Sequence, residues 1–126
     1  MNRAEQGFRG LLIKESLDDE TVLERMRVTN STEVDQPQPS SDQPGRWTLI
    51  AFEGSEIDAD PLAELLSQAL KPRGWYVDFS TSRHKFVILP GKVFKYEPGD
   101  RQGEADAKAF ARSVGVPERQ LEWPEP

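Results

Sequence analysis

The sequence has 126 residues, a formal net charge of −6 and no cysteine. A chain of this length suits a single domain, residues 1–126, with one hydrophobic core. The absence of cysteine excludes disulfide frameworks, thiolate zinc sites, iron–sulfur clusters and cysteine nucleophiles. The single histidine excludes a multi-histidine metal site, and we predict neither a metal site nor a cofactor.

The lengths of the apolar runs and the N-terminal residues indicate the cellular compartment of the protein. The longest uninterrupted apolar stretches, such as residues 86–89, are about four residues long, which is too short to cross a membrane. The first seven residues lack the apolar core of a secretory signal peptide. We therefore expect a cytoplasmic protein without a membrane partner.

Three β-strands are predicted in the first half of the chain. Residues 10–14 form a short apolar run, and residues 22–28 alternate imperfectly between apolar and polar side chains. The corresponding elements are placed at about residues 10–15 and 23–30. Periodicity alone is compatible with helix or strand in both runs, and we favour strands. Residues 46–54 are rich in β-branched and aromatic side chains, which predicts a buried strand.

The segment between the second and third predicted strands is polar. Residues 31–45 contain three prolines, four serines or threonines and a single aliphatic residue, Val34. Such a composition buries too little apolar surface to offset the entropy lost on ordering. We predict a flexible Pro- and Ser-rich loop at residues 35–45.

A helix is the clearest element predicted in the second half. Asp60 is a suitable N-cap, and Pro61 suits the first helical position. Apolar residues then recur every three or four positions, at Leu62, Leu65, Leu66, Ala69 and Leu70. This spacing places them on one helical face.

A β-meander and a second helix follow. Residues 75–81, 85–89 and 92–96 predict three strands, and Gly91 occupies the turn position that requires a positive φ. The second helix is predicted over residues 103–114, with Gly115 as its terminator. One further helical turn from Pro117 is expected to return Leu121 and Trp123 to the body of the domain.

The order of these elements predicts the fold class. We expect a single α+β domain with a mainly antiparallel sheet of about five or six strands. The two main helices are expected on one face of that sheet.

Four polar residues are candidates for catalysis. His84 could act as a general base, and Asp78 is the nearest carboxylate to orient it. Glu97 and Asp100 share a Pro-Gly turn, where two carboxylates could share a proton or hold a hard cation. The structural alternatives are a turn histidine between strands and an aspartate that begins the second helix. No enzyme motif accompanies these residues, so a non-catalytic protein is favoured while an enzyme stays open.

Cationic and aromatic side chains interleave through the meander. The candidate binding residues are Trp75, Tyr76, Arg83, Lys85, Lys92, Lys95 and Tyr96. This combination is typical of surfaces that bind single-stranded nucleic acid. The net negative charge opposes phosphate binding, and the rings could instead form the core, so nucleic acid is not the favoured partner.

The charges are unevenly distributed along the chain. Residues 31–60 carry seven acidic and one basic side chain, whereas residues 71–95 carry six basic side chains and one acid, Asp78. If the fold keeps these segments apart, the protein has an acidic and a basic surface, which suits docking onto a complementary partner.

Three segments carry a resemblance to known proteins. They are Trp75-Tyr76-Val77-Asp78-Phe79, then Lys92-Val93-Phe94-Lys95-Tyr96-Glu97-Pro98-Gly99-Asp100, and last Gly115-Val116-Pro117-Glu118-Arg119-Gln120-Leu121-Glu122-Trp123-Pro124. In this order they resemble a group of small uncharacterised bacterial proteins of about this length, over residues 46–124. The resemblance implies one bacterial domain. It transfers no activity and no functional residue.

These observations rank three functions. The first is a small, soluble, non-catalytic interaction or regulatory protein that docks a protein partner through a charged face. The second is a small enzyme or small-molecule binder whose pocket lies between sheet and helices, with Trp75, Tyr76 and Tyr96 as walls. The third is single-stranded nucleic-acid binding by the meander. The sequence makes no prediction of the oligomeric state.

Overall fold

The computed structural model describes residues 7–35 and 45–121. Its strands and α-helices are β1 (Gly7–Ile13), β2 (Arg27–Asp35), β3 (Arg46–Ser55), α1 (Ala59–Ala69), β4 (Val77–Ser80), β5 (Lys85–Leu89), β6 (Lys92–Tyr96) and α2 (Arg101–Ser113). Short 3₁₀ helices lie at Lys14–Ser16, Glu20–Arg25, Glu56–Asp58 and Glu118–Gln120. The predicted α+β fold with a six-stranded sheet and two main helices is confirmed.

The strands form one antiparallel sheet in the order β2-β3-β1-β4-β5-β6. β1 joins the two halves of the chain because it pairs with β3 on one side and with β4 on the other. The register of the edge strand β2 shifts between Val28 and Asn30, which marks a β-bulge. Within residues 7–35 and 45–121, no helix is long and apolar enough to span a bilayer.

The two helices cover opposite faces of the sheet. Every side chain of β5 is buried. Phe86 and Ile88 share a core cluster with Leu66 of α1, whereas Val87 and Leu89 pack with α2. Because successive side chains of a strand point to opposite faces, the sheet has an α1 face and an α2 face. The prediction that both helices share one face is wrong, since a strand covered on both sides is continuously apolar and carries no alternation to reveal it.

Residues 23–30 do not form the predicted strand as a whole. Asp19 caps the 3₁₀ helix Glu20–Arg25 by accepting hydrogen bonds from the N–H and the hydroxyl of Thr21. Val22 is buried and Met26 packs against the same core, at a helical spacing of four. The strand begins at Arg27 and continues through the polar residues 31–35, because an edge strand exposed on both faces needs no apolar alternation.

Two predicted features lie outside the described residues. The Pro- and Ser-rich loop was predicted at residues 35–45, of which residues 36–44 are not described. Trp123 is also outside the described part. Leu121 is described and buried, as predicted.

Helix α1 begins before its predicted cap. Asp60 lies inside the first turn, and its Oδ1 is 3.1 Å from Nζ of Lys95 in β6. Asp58 occupies the N-cap position without a side-chain hydrogen bond. At the other end, the N–H of Gly91 donates to the carbonyl oxygen of Ser67 over 2.9 Å, so the β5–β6 turn satisfies a carbonyl that the helix leaves free.

The turn residues around β6 and α2 are confirmed. Gly91 has φ +75° and Gly115 has φ +86°, conformations that side chains beyond glycine rarely adopt. Asp100 is the N-cap of α2, and its Oδ1 accepts a hydrogen bond from the N–H of Gly103 over 2.9 Å. The structural alternative for Asp100 is therefore the observed one.

Gly10 permits the close packing of two rings on the α1 face. A Cβ atom at this position would lie 2.5 Å from Cζ of Phe52 and 2.9 Å from Cβ of Phe79. We expect Gly10→Ala to lower the free energy of unfolding by about 1–3 kcal/mol, because the rings have no space to retreat in a packed core. Urea unfolding measures this. Leu11→Ala, which truncates the next residue on the opposite face, should cost less than about 1 kcal/mol. Equal losses would contradict the packing argument.

Glu15 connects the end of β1 to β3. Its two carboxylate oxygens accept hydrogen bonds from the N–H of Thr48 over 2.7 Å and from the hydroxyl of Thr48 over 2.8 Å. Burial opposes ionisation of Glu15, but these hydrogen bonds outweigh it and hold the pKa below the ordinary value of 4.5. The ionised form therefore stabilises the fold above pH 4.5, and this contribution is lost as the pH falls through the lower folded-state pKa.

We expect Glu15→Gln to destabilise the protein at pH 7 by about 1 kcal/mol, which is a few degrees in Tm. The difference from the wild type should shrink as the pH is lowered below the ordinary carboxylate pKa. Thermal unfolding from pH 7 to about pH 3 tests this. Glu24→Gln, at an exposed glutamate on the 3₁₀ helix Glu20–Arg25 that follows, serves as the control. A Glu15→Gln difference that does not vary with pH would be inconsistent with the assigned role.

Candidate functional site

The cover on the α2 face ends at β4. The antiparallel register aligns Ala51, Leu11, Asp78, Val87 and Phe94 in one row across this face. Val87 is fully buried beneath α2, whereas Leu11 is 52% exposed in the middle of the sheet. The half of the face formed by β1 and β3 is therefore open.

The open half of the α2 face is apolar. Leu11 and Ile13 of β1 pair with Ala51 and Leu49 of β3, and Trp47 follows on the same side of β3. These five residues are exposed or half-buried, and we call them the open sheet surface. The solvated face of an antiparallel sheet is usually polar, so this surface is unusual for a strand pair that faces water.

A groove of about 440 Å³ adjoins the open sheet surface. We call it the aromatic groove. It is lined by Leu11, Leu12, Ile13, Val34, Asp35, Trp47, Leu49, Trp75, Tyr76, Asp78 and Gln120. The rings of Trp47 and Trp75 meet at 59° with their centroids 6.0 Å apart. Elsewhere in the lining, the Tyr76 hydroxyl donates to the carbonyl oxygen of Gln120 over 2.6 Å, which fixes the ring against the 3₁₀ helix Glu118–Gln120.

An ion pair lies where the cover by α2 ends. Nζ of Lys85 donates to Oδ2 of Asp78 over 2.6 Å, and the two side chains are 2% and 23% exposed, respectively. A buried ammonium requires a compensating carboxylate, because its desolvation is otherwise very unfavourable. Asp78 lines the aromatic groove and also a second groove of about 400 Å³ that contains Arg9 and Ser80.

The second oxygen of Asp78 is available to a ligand. Of the residues that the structure describes, none donates a hydrogen bond to Oδ1. The charge of Asp78 also acts on Tyr76, whose pKa is raised above 10 by burial first and by this carboxylate second. Tyr76 is thus a neutral hydrogen-bond donor, and Asp78 is the charged acceptor of the groove.

The four predicted catalytic residues do not converge. His84 lines a separate pocket of about 200 Å³ together with Glu56 and Asp60, and Asp78 lies on the α2 face. Glu97 is exposed in the turn before α2, and Asp100 caps that helix. Among the residues described, no group of three or more potential ligand side chains is placed to hold a metal ion.

The predicted binding residues are divided among several places. Trp75, Tyr76 and Lys85 belong to the two neighbouring grooves on the α2 face. Arg83 and Lys95 line the pocket of His84 instead. The remaining two lie elsewhere.

Lys92 and Tyr96 contribute to packing on β6. The Lys92 ammonium is 5.5 Å from the centroid of the Phe94 ring. Tyr96 is buried, and Gly103 of α2 approaches it so closely that an added Cβ would lie 2.7 Å from Cβ of Tyr96. Phe79 and Phe86, two further aromatic residues of the meander, are buried in the core.

The fold partly neutralises the uneven charge of the sequence. Asp60 of the acidic segment pairs with Lys95 of the basic segment, and Asp78 neutralises Lys85. The acidic and basic surfaces are therefore less separated than the segment charges predict.

Sequence reasoning missed the open sheet surface. Its residues lie within apolar runs in which both alternating sets are hydrophobic, as in Leu11-Leu12-Ile13. Such a run is typical of a strand buried on both faces. Periodicity cannot show that one of the two alternating sets of side chains is exposed. Only the position of α2 in the tertiary structure shows which part of the sheet is left uncovered.

Unequal burial of the ion pair predicts unequal effects of breaking it. Asp78→Ala leaves the ammonium of Lys85 buried without a carboxylate and should cost about 3–5 kcal/mol. Lys85→Met keeps the apolar stem and leaves a carboxylate that still reaches water, so the loss should be below about 2 kcal/mol. Urea unfolding at pH 7 of both variants and of the double variant measures the difference. Similar losses for the two single variants would show that Lys85 is hydrated after all.

The comparisons with known proteins give no match. No protein-family model matches the chain, and no curated protein or solved structure is significantly similar to it. The resemblance to small bacterial proteins therefore stays a prediction, and function is argued from the geometry alone.

Proposed function

We propose that the protein is a non-catalytic interaction protein that docks a segment of another protein on the open sheet surface and in the aromatic groove. The observation that carries this proposal is the exposure of Leu11 in the middle of a six-stranded sheet. An apolar side chain at that position is normally covered, because the solvated face of an antiparallel sheet is usually polar, and its neighbours Leu49 and Ile13 extend the apolar area on both strands.

The charge of the surroundings defines the partner. Asp35 and Asp78 line the aromatic groove, and no lysine or arginine is among its described lining residues. The net charge of −6 adds a long-range attraction for a basic molecule. The partner segment therefore combines apolar residues with basic ones, and electrostatic attraction accelerates its association.

This proposal revises the sequence hypothesis in one respect. Docking through a charged face was expected, whereas the geometry favours an apolar surface with acidic residues at its margin. The centre of an interface contributes most of the affinity when it is desolvated, and peripheral charges contribute mainly to the rate of encounter. We keep the cytoplasm of a bacterium as the proposed location.

Small-molecule binding is a second candidate function. The volume of the aromatic groove, about 440 Å³, falls within the range of small-ligand sites, and aromatic walls are typical of them. Four residues of the open sheet surface line the groove, whereas Ala51, which pairs with Leu11, lies outside the lining and would be left uncovered by a small ligand. For this reason we rank protein docking first.

Nucleic-acid binding receives little support from the geometry. Trp75, Phe79 and Phe86 are buried, so they present no ring face for stacking with bases. Lys85 is buried in an ion pair and Lys95 is paired with Asp60.

Site-directed photo-crosslinking in cells of the native host tests the proposal. A photoreactive phenylalanine at Leu11 should cross-link a distinct protein, whereas the same residue at Ile57, which is 84% exposed outside the groove, should not. The captured protein is identified by mass spectrometry and purified. Its affinity is then measured for the wild type and for Leu11→Arg, and we expect Kd to rise roughly thirtyfold, equivalent to about 2 kcal/mol.

Three outcomes would contradict the proposal. They are equal cross-linking from both positions, a cross-link only to a second copy of the chain or within one chain, and an unchanged Kd for Leu11→Arg. Leu65→Arg, a substitution of a half-exposed leucine on α1, is the matched control for charge and should leave Kd unaltered.

A further inference from the structure

We propose that Asp78, Tyr76 and Trp47, with Trp75 packed against Trp47, form a cation subsite that receives a lysine or arginine side chain. This subsite deepens the proposed function. It rests on that function only in one respect, namely that the cation belongs to the docked protein segment. The subsite itself is defined by the geometry of these four residues.

The fixed position of the Asp78 carboxylate is the first argument. Oδ2 is held by the buried ammonium of Lys85 at 2.6 Å, so the side chain cannot turn away from the groove without leaving that ammonium unpaired. Oδ1 accepts no hydrogen bond from the described residues, although Asp78 lines the aromatic groove. An acceptor that is already oriented loses little conformational entropy when it binds a donor.

The aromatic walls are the second argument. Trp47 and Tyr76 are half-buried and supply the ring faces. Trp75 is buried and packs against Trp47 at an interplanar angle of 59°, and the hydrogen bond to Gln120 holds Tyr76 in place. Ring faces attract ammonium and guanidinium groups, most strongly where water is excluded. The apolar stem of a lysine or arginine would also be covered by these rings.

The charges of the groove favour a cation over an anion. Asp35 and Asp78 are the ionisable carboxylates of its lining, and the raised pKa keeps Tyr76 neutral. Arg9 and Lys85 lie in the second groove, on the other side of Asp78. The cations that pair with these carboxylates, Arg46 at 3.7 Å from Asp35 and Lys85 at 2.6 Å from Asp78, are not among the described lining residues. An anion in the aromatic groove would therefore meet the carboxylates before their cations, which is unfavourable.

Nuclear magnetic resonance with small probes tests the subsite on the whole protein. The cationic probes are the N-acetyl methylamides of arginine and lysine, and the neutral probes are those of citrulline and norleucine. We expect the cationic probes to shift the indole N–H signals of Trp47 and Trp75 and the amide signal of Asp78. Their affinity should exceed that of the neutral probes about tenfold, as one charge-assisted hydrogen bond implies.

Two variants separate the carboxylates of the groove. Asp78→Asn should remove most of the preference for cationic probes, whereas Asp35→Asn, at a side chain that is 89% exposed, should retain it. If Asp78→Asn does not fold, the affinities of the wild type for the arginine and citrulline probes still show whether the groove prefers a cation. Equal affinities of cationic and neutral probes, or shifts confined to signals outside the groove, would overturn the subsite.

The test distinguishes the subsite from the proposed function. Binding of the cationic probes together with an unaltered partner affinity for Leu11→Arg would retain the subsite and refute docking on the open sheet surface. A partner that depends on Leu11 but is insensitive to Asp78→Asn, combined with probes that do not bind, would refute the subsite and retain docking.

Discussion

The ion pair between Lys85 and Asp78 lies at the boundary between the half of the α2 face that α2 covers and the half that is open. On one side of it, α2 buries Val87 and Leu89. On the other side, Leu11 is in contact with solvent. A fully buried ammonium is stable only with a carboxylate beside it, so the sequence must supply an acid on the neighbouring strand at this point. The same carboxylate lines the aromatic groove, and its second oxygen accepts no hydrogen bond from the described residues. A requirement of folding thereby places a charged acceptor at the margin of an apolar surface.

The asymmetric cover of the sheet explains why one face is structural and the other is available for binding. On the α1 face, Phe79 lies 4.8 Å from both Phe8 and Phe86, between ring centroids, and α1 closes the cluster. The domain thus obtains its main core from a single face. The α2 face contributes a second, smaller core under α2 only. Since the first core spans most strands, the fold does not need β1 and β3 to be covered on the α2 face.

Local sequence rules predicted much of the fold. Gly91 and Gly115 were assigned from turn chemistry, and both adopt a positive φ because their positions demand it. Asp100 has the sequence context of an N-cap and acts as one. These features depend on a few adjacent residues, which is why a single sequence reveals them.

Features that depend on distant residues were not predictable in the same way. The apolar run of β5 gives no indication of which helix covers which side, so the two-sided arrangement was missed. The predicted cap at Asp60 was wrong because the helix begins at Ala59 with Asp58 in the N-cap position; the carboxylate of Asp60 pairs instead with Lys95, 35 positions away. For the site, Trp75, Tyr76 and Asp78 were identified, but their grouping with Trp47 arises from the sheet order, and no local pattern encodes it.

The β-bulge in β2 has a consequence for how the sheet can associate. An outer strand offers unpaired backbone groups to any extended chain, and a bulge twists that strand and interrupts the regular ladder. Glu33 adds a negative charge to the same strand. Growth of the sheet by strand addition at this margin is thereby discouraged. Molecules that approach the domain are directed toward side chains on its broad surface instead of toward its backbone.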